Sequence, residues 1–139
     1  MDIGVKLLCE NAKIPACNNY GDAGYDLYST EHVIIPSNER KTIKTGIAIE
    51  IPLGFVGLIW PRSGLSVKQG VDVLAGVVDA TYRGEIMVCL LNTSDKDVII
   101  LEGNKIAQIL IQPVEECNFI QKDQLSNTTR EDKGFGSSG

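Results

Sequence analysis

From Thr42 to Leu53 the apolar residues Ile43, Ile47, Ile49, Ile51 and Leu53 fall at every second position, and Thr45 fills the single gap in the row. A period of two puts one row of side chains on one face of an extended backbone, whereas helical faces repeat about every 3.6 residues. The stretch is therefore predicted as one strand. It commits the chain to a sheet.

Short apolar runs at Val5 to Cys9, Phe55 to Trp60, Val98 to Leu101 and Ile106 to Ile111 also read as strands, separated by Gly, Pro and Asn. The one helical signal is Ser63 to Gly70, predicted as about one to two turns with Ser63 as cap and Gly70 as stop. Many short strands with almost no helical periodicity give an all-β sandwich or barrel. Residues 1–122 are predicted as this β domain. Residues 123–139 lose apolar side chains apart from Leu125 and Phe135, and read by composition as a mobile tail.

Length and charge narrow the function. A chain of 139 residues is one domain's worth, and its longest apolar runs are too short to cross a bilayer. The start, MDIGVKLLCEN, lacks a basic stretch ahead of an apolar one, so a cytoplasmic protein is expected, or a nuclear one. A net charge of -5 argues against direct nucleic-acid binding, which neutralises phosphates with a surplus of Lys and Arg, but it leaves room for a small phosphorylated ligand. The four cysteines, Cys9, Cys17, Cys89 and Cys117, form no C-x-x-C pair and are expected as buried free thiols.

Several places carry side chains that a bare scaffold does not need. In AGVVDATYRGEIMV, Ala75 to Val88, apolar runs at Ala75 to Val78 and Ile86 to Val88 enclose a polar tip, a hairpin pattern. The tip gathers Asp79, Tyr82, Arg83 and Glu85, where turn geometry alone asks only for Asn, Asp or Gly. PRSG sets Arg62, Ser63 and the Gly64 amide at a helix start, where unpaired N–H groups favour an anion. The plainer reading of that segment alone is a serine-capped helix beside a solvated arginine. Asp26 and Asp79 are carboxylates among apolar neighbours, a costly setting unless each is paired, metal-bound or exposed. Gln108, in GNKIAQ, reads as an outward-facing polar residue on a half-buried strand. His32, the one histidine, reads as a surface residue, and no nucleophile triad forms around it.

Taken together and in order, AGYDLYS, PRSGLSVK, AGVVDATYRGEIMV, GNKIAQILI and REDKGFGSSG resemble the five motifs of the homotrimeric dUTPase family, the deoxyuridine 5'-triphosphate nucleotidohydrolases. The resemblance runs from Ala23 to the C-terminus. It implies a distorted jelly-roll (β-clip) domain with one short helix, a homotrimer, and hydrolysis of dUTP to dUMP and pyrophosphate with Mg²⁺. That reaction keeps uracil out of DNA and supplies dUMP for dTMP synthesis. In such trimers the first, second and fourth motifs of one subunit meet the third of another and the mobile fifth of a third.

By the same resemblance Asp79 is the catalytic carboxylate that activates water for attack on the α-phosphorus. Tyr82 packs under the deoxyribose, and the backbone at Gly76, Val77 and Val78 binds uracil. Arg62, Ser63, Gly64 and Gln108 contact phosphates, and Asp26 helps organise Mg²⁺ through coordinated water. In the tail, Arg130 corresponds to the γ-phosphate contact and Phe135 to the ring stacked over uracil. Gly136, Ser137 and Ser138 correspond to the segment wrapping the phosphates. Arg83 and Glu85 are expected in hairpin or intersubunit ion pairs.

The fifth motif of the family usually reads Arg-Gly ahead of its Gly-Phe-Gly core, whereas here Glu131, Asp132 and Lys133 intervene. Added carboxylates beside a triphosphate are expected to weaken closure of the tail. Two alternatives share the scaffold: a relative of the dCTP deaminases, and a nucleotide-binding regulatory protein.

Overall fold

The isoleucine row bends in its middle. The computed structural model describes residues 1–137 and 139, and in it the row divides into β4 (Arg40–Lys44) and β5 (Ile47–Glu50), separated by Thr45 and Gly46. The predicted single strand is corrected to two. The row stays buried through the break at Ile43, Thr45, Ile47, Ile49 and Ile51, joined by Ala48 from the other face, while Leu53, its predicted last member, lies past the end of β5 and is exposed. Gly46 supplies the turn with φ 68°, a left-handed conformation that costs a side-chain-bearing residue about 1–2 kcal/mol. An added Cβ would also meet Cys9 Sγ at 2.5 Å. The bend lets one row serve two sheets: β5 pairs with β1 (Gly4–Leu7), while β4 pairs with β9 (Met87–Asn92).

The other elements are β2 (Tyr25–Tyr28), β3 (Val33–Ile35), β6 (Phe55–Trp60), α1 (Ser63–Gln69), β7 (Val71–Leu74), β8 (Val77–Val78), β10 (Val98–Ile100) and β11 (Lys105–Pro113). All strand pairs are antiparallel. The sheet that matters for the site runs β2, β11, β6, β8; a second runs β4, β9, β7; and β1–β5 and β10–β3 are two-stranded. Between them lies a core of Leu27, Ile35, Ile43, Ile86, Val88, Leu90, Ile100, Ile106 and their neighbours. Each such side chain contributes roughly 2 kcal/mol by leaving water. The all-β fold with one short helix is as the sequence reading had it. The missed strand is β3, an isolated run of only three residues that pairs with β10.

The hairpin around the polar tip is corrected. Its arms are β7 and β9, paired from Val71↔Asn92 to Leu74↔Cys89, whereas Val77 and Val78 leave this pair and join β6. Ala75 at φ 63° and Gly76 at φ 120° make that departure. The cysteines are free as expected but not buried, with Cys9, Cys17 and Cys117 exposed and Cys89 half-buried. No helix among the described residues is long and apolar enough to cross a membrane. Beyond Pro113 the described residues form no strand or helix, and the Val114 N–H bond to the Gly54 carbonyl, 2.9 Å, ties down the start of this segment.

Candidate active site

The sequence-predicted residues gather in two cavities and on the tail. The first cavity, of about 490 Å³, is lined by Gly24 and Asp26 from the first motif, Arg62, Ser63 and Gly64 from the second, and Gln108 from the fourth. The central strands β2, β11 and β6 bring these together, because Gln108 sits opposite both Asp26 and Trp60 in register. Gln108 is half-buried rather than solvated, and its Nε2 donates to the Pro61 carbonyl at 3.0 Å. That bond fastens β11 to the turn that carries Arg62.

Asp26 is buried, and its carboxylate is neutralised from both sides. Arg62 Nε lies 2.9 Å from Oδ1 and Lys105 Nζ 2.7 Å from Oδ2. Oδ2 receives no directed hydrogen bond, so Lys105 acts on it as a charge. The predicted cap is corrected here. Arg62, in extended conformation, occupies the N-cap position of α1 with no side-chain cap bond, and Ser63 is the first helical residue. Ser63 is thereby exposed at the cavity with its hydroxyl uncommitted among the described residues. Gly70, at φ 67°, ends the helix as the sequence indicates.

The second cavity, of about 300 Å³, is lined by Gly76, Val77, Val78, Asp79 and Tyr82, with apolar walls from Ile59, Leu74 and Met87. Gly76 is required by contact as well as by φ. A Cβ there would lie 2.6 Å from the Ile59 carbonyl oxygen, and the Gly76 carbonyl accepts the Ile59 N–H at 2.7 Å. Tyr82 closes the loop on itself: its hydroxyl donates to the Glu85 carbonyl at 2.9 Å, and the ring lies where a Cβ on Gly84 would meet Cζ at 2.6 Å.

The far end of the loop is clamped to the β4–β5 bend. Glu85 Oε1 accepts the Gly46 N–H at 2.9 Å, the Ile86 N–H donates to the Ile47 carbonyl at 2.8 Å, and the buried Thr45 hydroxyl donates to the Ile86 carbonyl. A hydroxyl in the isoleucine row is tolerable because it is bonded. Within the chain Glu85 is therefore a backbone acceptor, and among the described residues it forms no ion pair in the hairpin. Arg83 does pair, with Glu50 at 3.6 Å, and donates to the Ala80 carbonyl at 2.6 Å.

Within one chain the cavities do not merge. Among the described residues none lines both, and consecutive residues of β6 divide between them, Trp60 on the first and Ile59 on the second. Side chains alternate faces along a strand. The first cavity thus presents cationic and amide donors, while the second presents a carboxylate and an aromatic ring in an apolar slot. Arg130 and Phe135 stand apart from both, exposed on the tail, where Arg130 Nε donates to the Lys133 carbonyl at 2.7 Å. Gly136 and Ser137 are also exposed on the tail, and Ser138 lies outside the described residues.

A family model described as dUTPase matches residues 10–139. The chain belongs to the dUTPase family. It is 48% identical over 142 residues to the deoxyuridine 5'-triphosphate nucleotidohydrolase of Hydrogenobaculum sp., covering 100% of this chain and 99% of the relative. It is 44% identical over 135 residues to that of Paramecium bursaria Chlorella virus 1, covering 97% and 96%. The fold matches the dUTPase of Staphylococcus bacteriophage 80alpha with dUpNHpp at a TM-score of 0.92 and 34% identity, covering 99% and 98% of the two chains. A mutant dUTPase from phage phi11 of S. aureus, in which the coordination of a structural Mg(II) ion is described, matches at 0.84 and 31% identity, covering 91% and 100%. As a dUTPase, the chain is a nucleotide hydrolase that converts dUTP to dUMP and pyrophosphate.

Sequence reading missed Asn18, which lines the first cavity, and Lys105, which pairs with Asp26 there. Lys105 stands inside the GNKIAQ motif, so the signal was present, but its partner Asp26 is far away in sequence.

Proposed function

We propose that this dUTPase binds uracil and deoxyribose in the cavity of Gly76, Val77, Val78 and Tyr82, and the triphosphate in the cavity of Arg62, Ser63, Gly64 and Gln108. Asp79 stands where the two meet, across a subunit boundary of a homotrimer. The observation that supports this reading is that one chain holds two separate cavities, an apolar slot with Asp79 and Tyr82 and a polar one with Arg62 and Gln108, divided between consecutive residues of β6. Two complementary halves that a single chain cannot join are completed by symmetry. The tail, residues 123–139, is the third contribution. Arg130, Phe135, Gly136, Ser137 and Ser138 close over the bound nucleotide and exclude water.

Asp79 accepts a proton from a water molecule as the water oxygen bonds to the α-phosphorus. The bond from that phosphorus to the bridging oxygen breaks, and pyrophosphate leaves. Arg62 and the Gly64 amide stabilise the charge that moves onto the leaving group. The Tyr82 ring against C2′ leaves no space for a ribose hydroxyl. Main-chain groups at Gly76 to Val78 select uracil by hydrogen bonding, since a cytosine amino group meets a donor there.

Among the described residues no group of three His, Cys, Asp or Glu side chains converges on a point, and each oxygen of Asp26 already faces a cation. These residues fit an ion brought in with the triphosphate, which Asp26 would hold through coordinated water, since Mg²⁺ gives up its waters reluctantly. When bound, Mg²⁺ withdraws charge from the phosphate oxygens. We place the activity in the cytoplasm, with the nucleotide pool it acts on.

The test compares pyrophosphate release from dUTP, dCTP, dTTP and UTP by the wild type and by Asp79→Asn. Turnover of dUTP alone, lowered about 10²–10⁴-fold in the variant while dUTP affinity is kept, is the expected result for loss of a general base. Undiminished turnover in Asp79→Asn overturns the assignment.

A further inference from the structure

Lys105 and Gln108 stand three positions apart on β11, an odd spacing that sends side chains of a regular strand to opposite faces. The strand is irregular at that point: its pairing with β2 shifts register between Lys105 and Ala107. The extra residue of such a bulge re-aims the chain. Lys105 and Gln108 therefore both flank Asp26, Gln108 as its register partner and Lys105 with Nζ 2.7 Å from Oδ2. Lys105 is held in turn by Asn18, whose Oδ1 accepts from Nζ at 2.6 Å.

We propose that Lys105 is a positioning residue for the triphosphate, acting through Asp26 on Arg62. The proposal rests on the assignment of the first cavity to the triphosphate. A guanidinium beside a carboxylate favours two parallel bonds, one to each oxygen. With Lys105 on Oδ2, Arg62 is confined to Oδ1 through Nε, and its two terminal nitrogens stay free of partners among the described residues. Those nitrogens are the donors a phosphate uses. Without Lys105 the guanidinium swings into bidentate pairing with Asp26 and withdraws donors from the cavity. The charge changes as well, because Asp26, Arg62 and Lys105 together carry one net positive charge, while Asp26 and Arg62 alone carry none.

The experiment measures inhibition constants for inorganic pyrophosphate and deoxyuridine in Lys105→Met, Lys105→Arg, Arg62→Ala and the double variant of Lys105→Met with Arg62→Ala. Lys105→Gln, which keeps a partner for Asn18, replaces Lys105→Met if the latter does not fold. Lys105→Met is expected to weaken pyrophosphate about tenfold and change deoxyuridine by less than about twofold, as for loss of one charged hydrogen bond. Lys105→Arg restores most of the affinity, and Lys105→Met adds nothing once Arg62 is alanine. Equal losses for both ligands, or additive losses in the double variant, overturn the proposal and leave Lys105 a fold-stabilising residue. If Arg62→Ala itself leaves pyrophosphate affinity intact, the assignment of the cavity has failed.

Discussion

Gly24 and Gln108 are shaped to each other: a Cβ at position 24 would overlap Gln108 Oε1 and lie 2.8 Å from its Cδ. Gly24 thus keeps the glutamine amide in place against the Pro61 carbonyl. Gly24→Ala displaces that amide and costs the bond to Pro61 together with the proposed phosphate contact. A drop of about 5–100-fold in kcat/KM for dUTP is expected, equivalent to about 1–3 kcal/mol. Steady-state kinetics with a thermal melt check it, and an active variant with an unchanged profile contradicts the proposed fit.

The proposed division of the site between subunits predicts complementation. Asp79→Asn and Arg62→Ala chains are each inactive or nearly so, yet a trimer mixing them contains sites that combine a native Asp79 with a native Arg62. Random mixing after joint refolding restores about a quarter of the wild-type site count, by the symmetry of a closed ring. If both residues act from one chain, mixing restores nothing.

Glu131 has φ 47°, the left-handed region in which a glycine is unstrained, and glycine is usual at this place in the family's fifth motif. The chain compensates with a reciprocal pair: Glu131 Oε1 accepts the Thr128 N–H at 2.5 Å, and Thr128 Oγ1 accepts the Glu131 N–H at 3.0 Å. Glu131→Gly removes both a like charge near the triphosphate and the strained backbone. KM for dUTP is expected to fall about two- to fivefold, an effect below about 1 kcal/mol as for other exposed charges. Thr128→Val loosens the turn and keeps the carboxylate, so its KM rises. Steady-state assays of both variants decide, and a raised KM in Glu131→Gly shows that the bracket outweighs the charge.

Gly46→Ala tests the bend between β4 and β5. The new methyl group meets Cys9 Sγ at 2.5 Å and Ala12 Cβ at 2.9 Å, on a backbone held at φ 68°. A loss of about 2 kcal/mol is expected, or a Tm lowered by on the order of 5–10 °C. Calorimetry measures it. Because the Gly46 N–H holds Glu85, the loop bearing Asp79 and Tyr82 loosens too, and kcat falls along with Tm.

Local pattern determined much of this protein. The alternation from Ile43 to Ile51 fixed a row of side chains that face the core, because a period of two is a property of the extended backbone itself, whereas Leu53, past the end of β5, is exposed. The motif residues named an anion cavity, a carboxylate and an aromatic ring, since those chemistries reside in the side chains. Tertiary structure alone decided the rest. It divided the isoleucine row at Gly46 between two sheets, sent Val77 and Val78 to β6, and placed Arg62 rather than Ser63 at the helix cap. It also put a bulge beside Lys105 that brings this side chain to Asp26. Strand partners, register and the pairing of a buried charge depend on contacts between residues distant in the chain, which no local periodicity records.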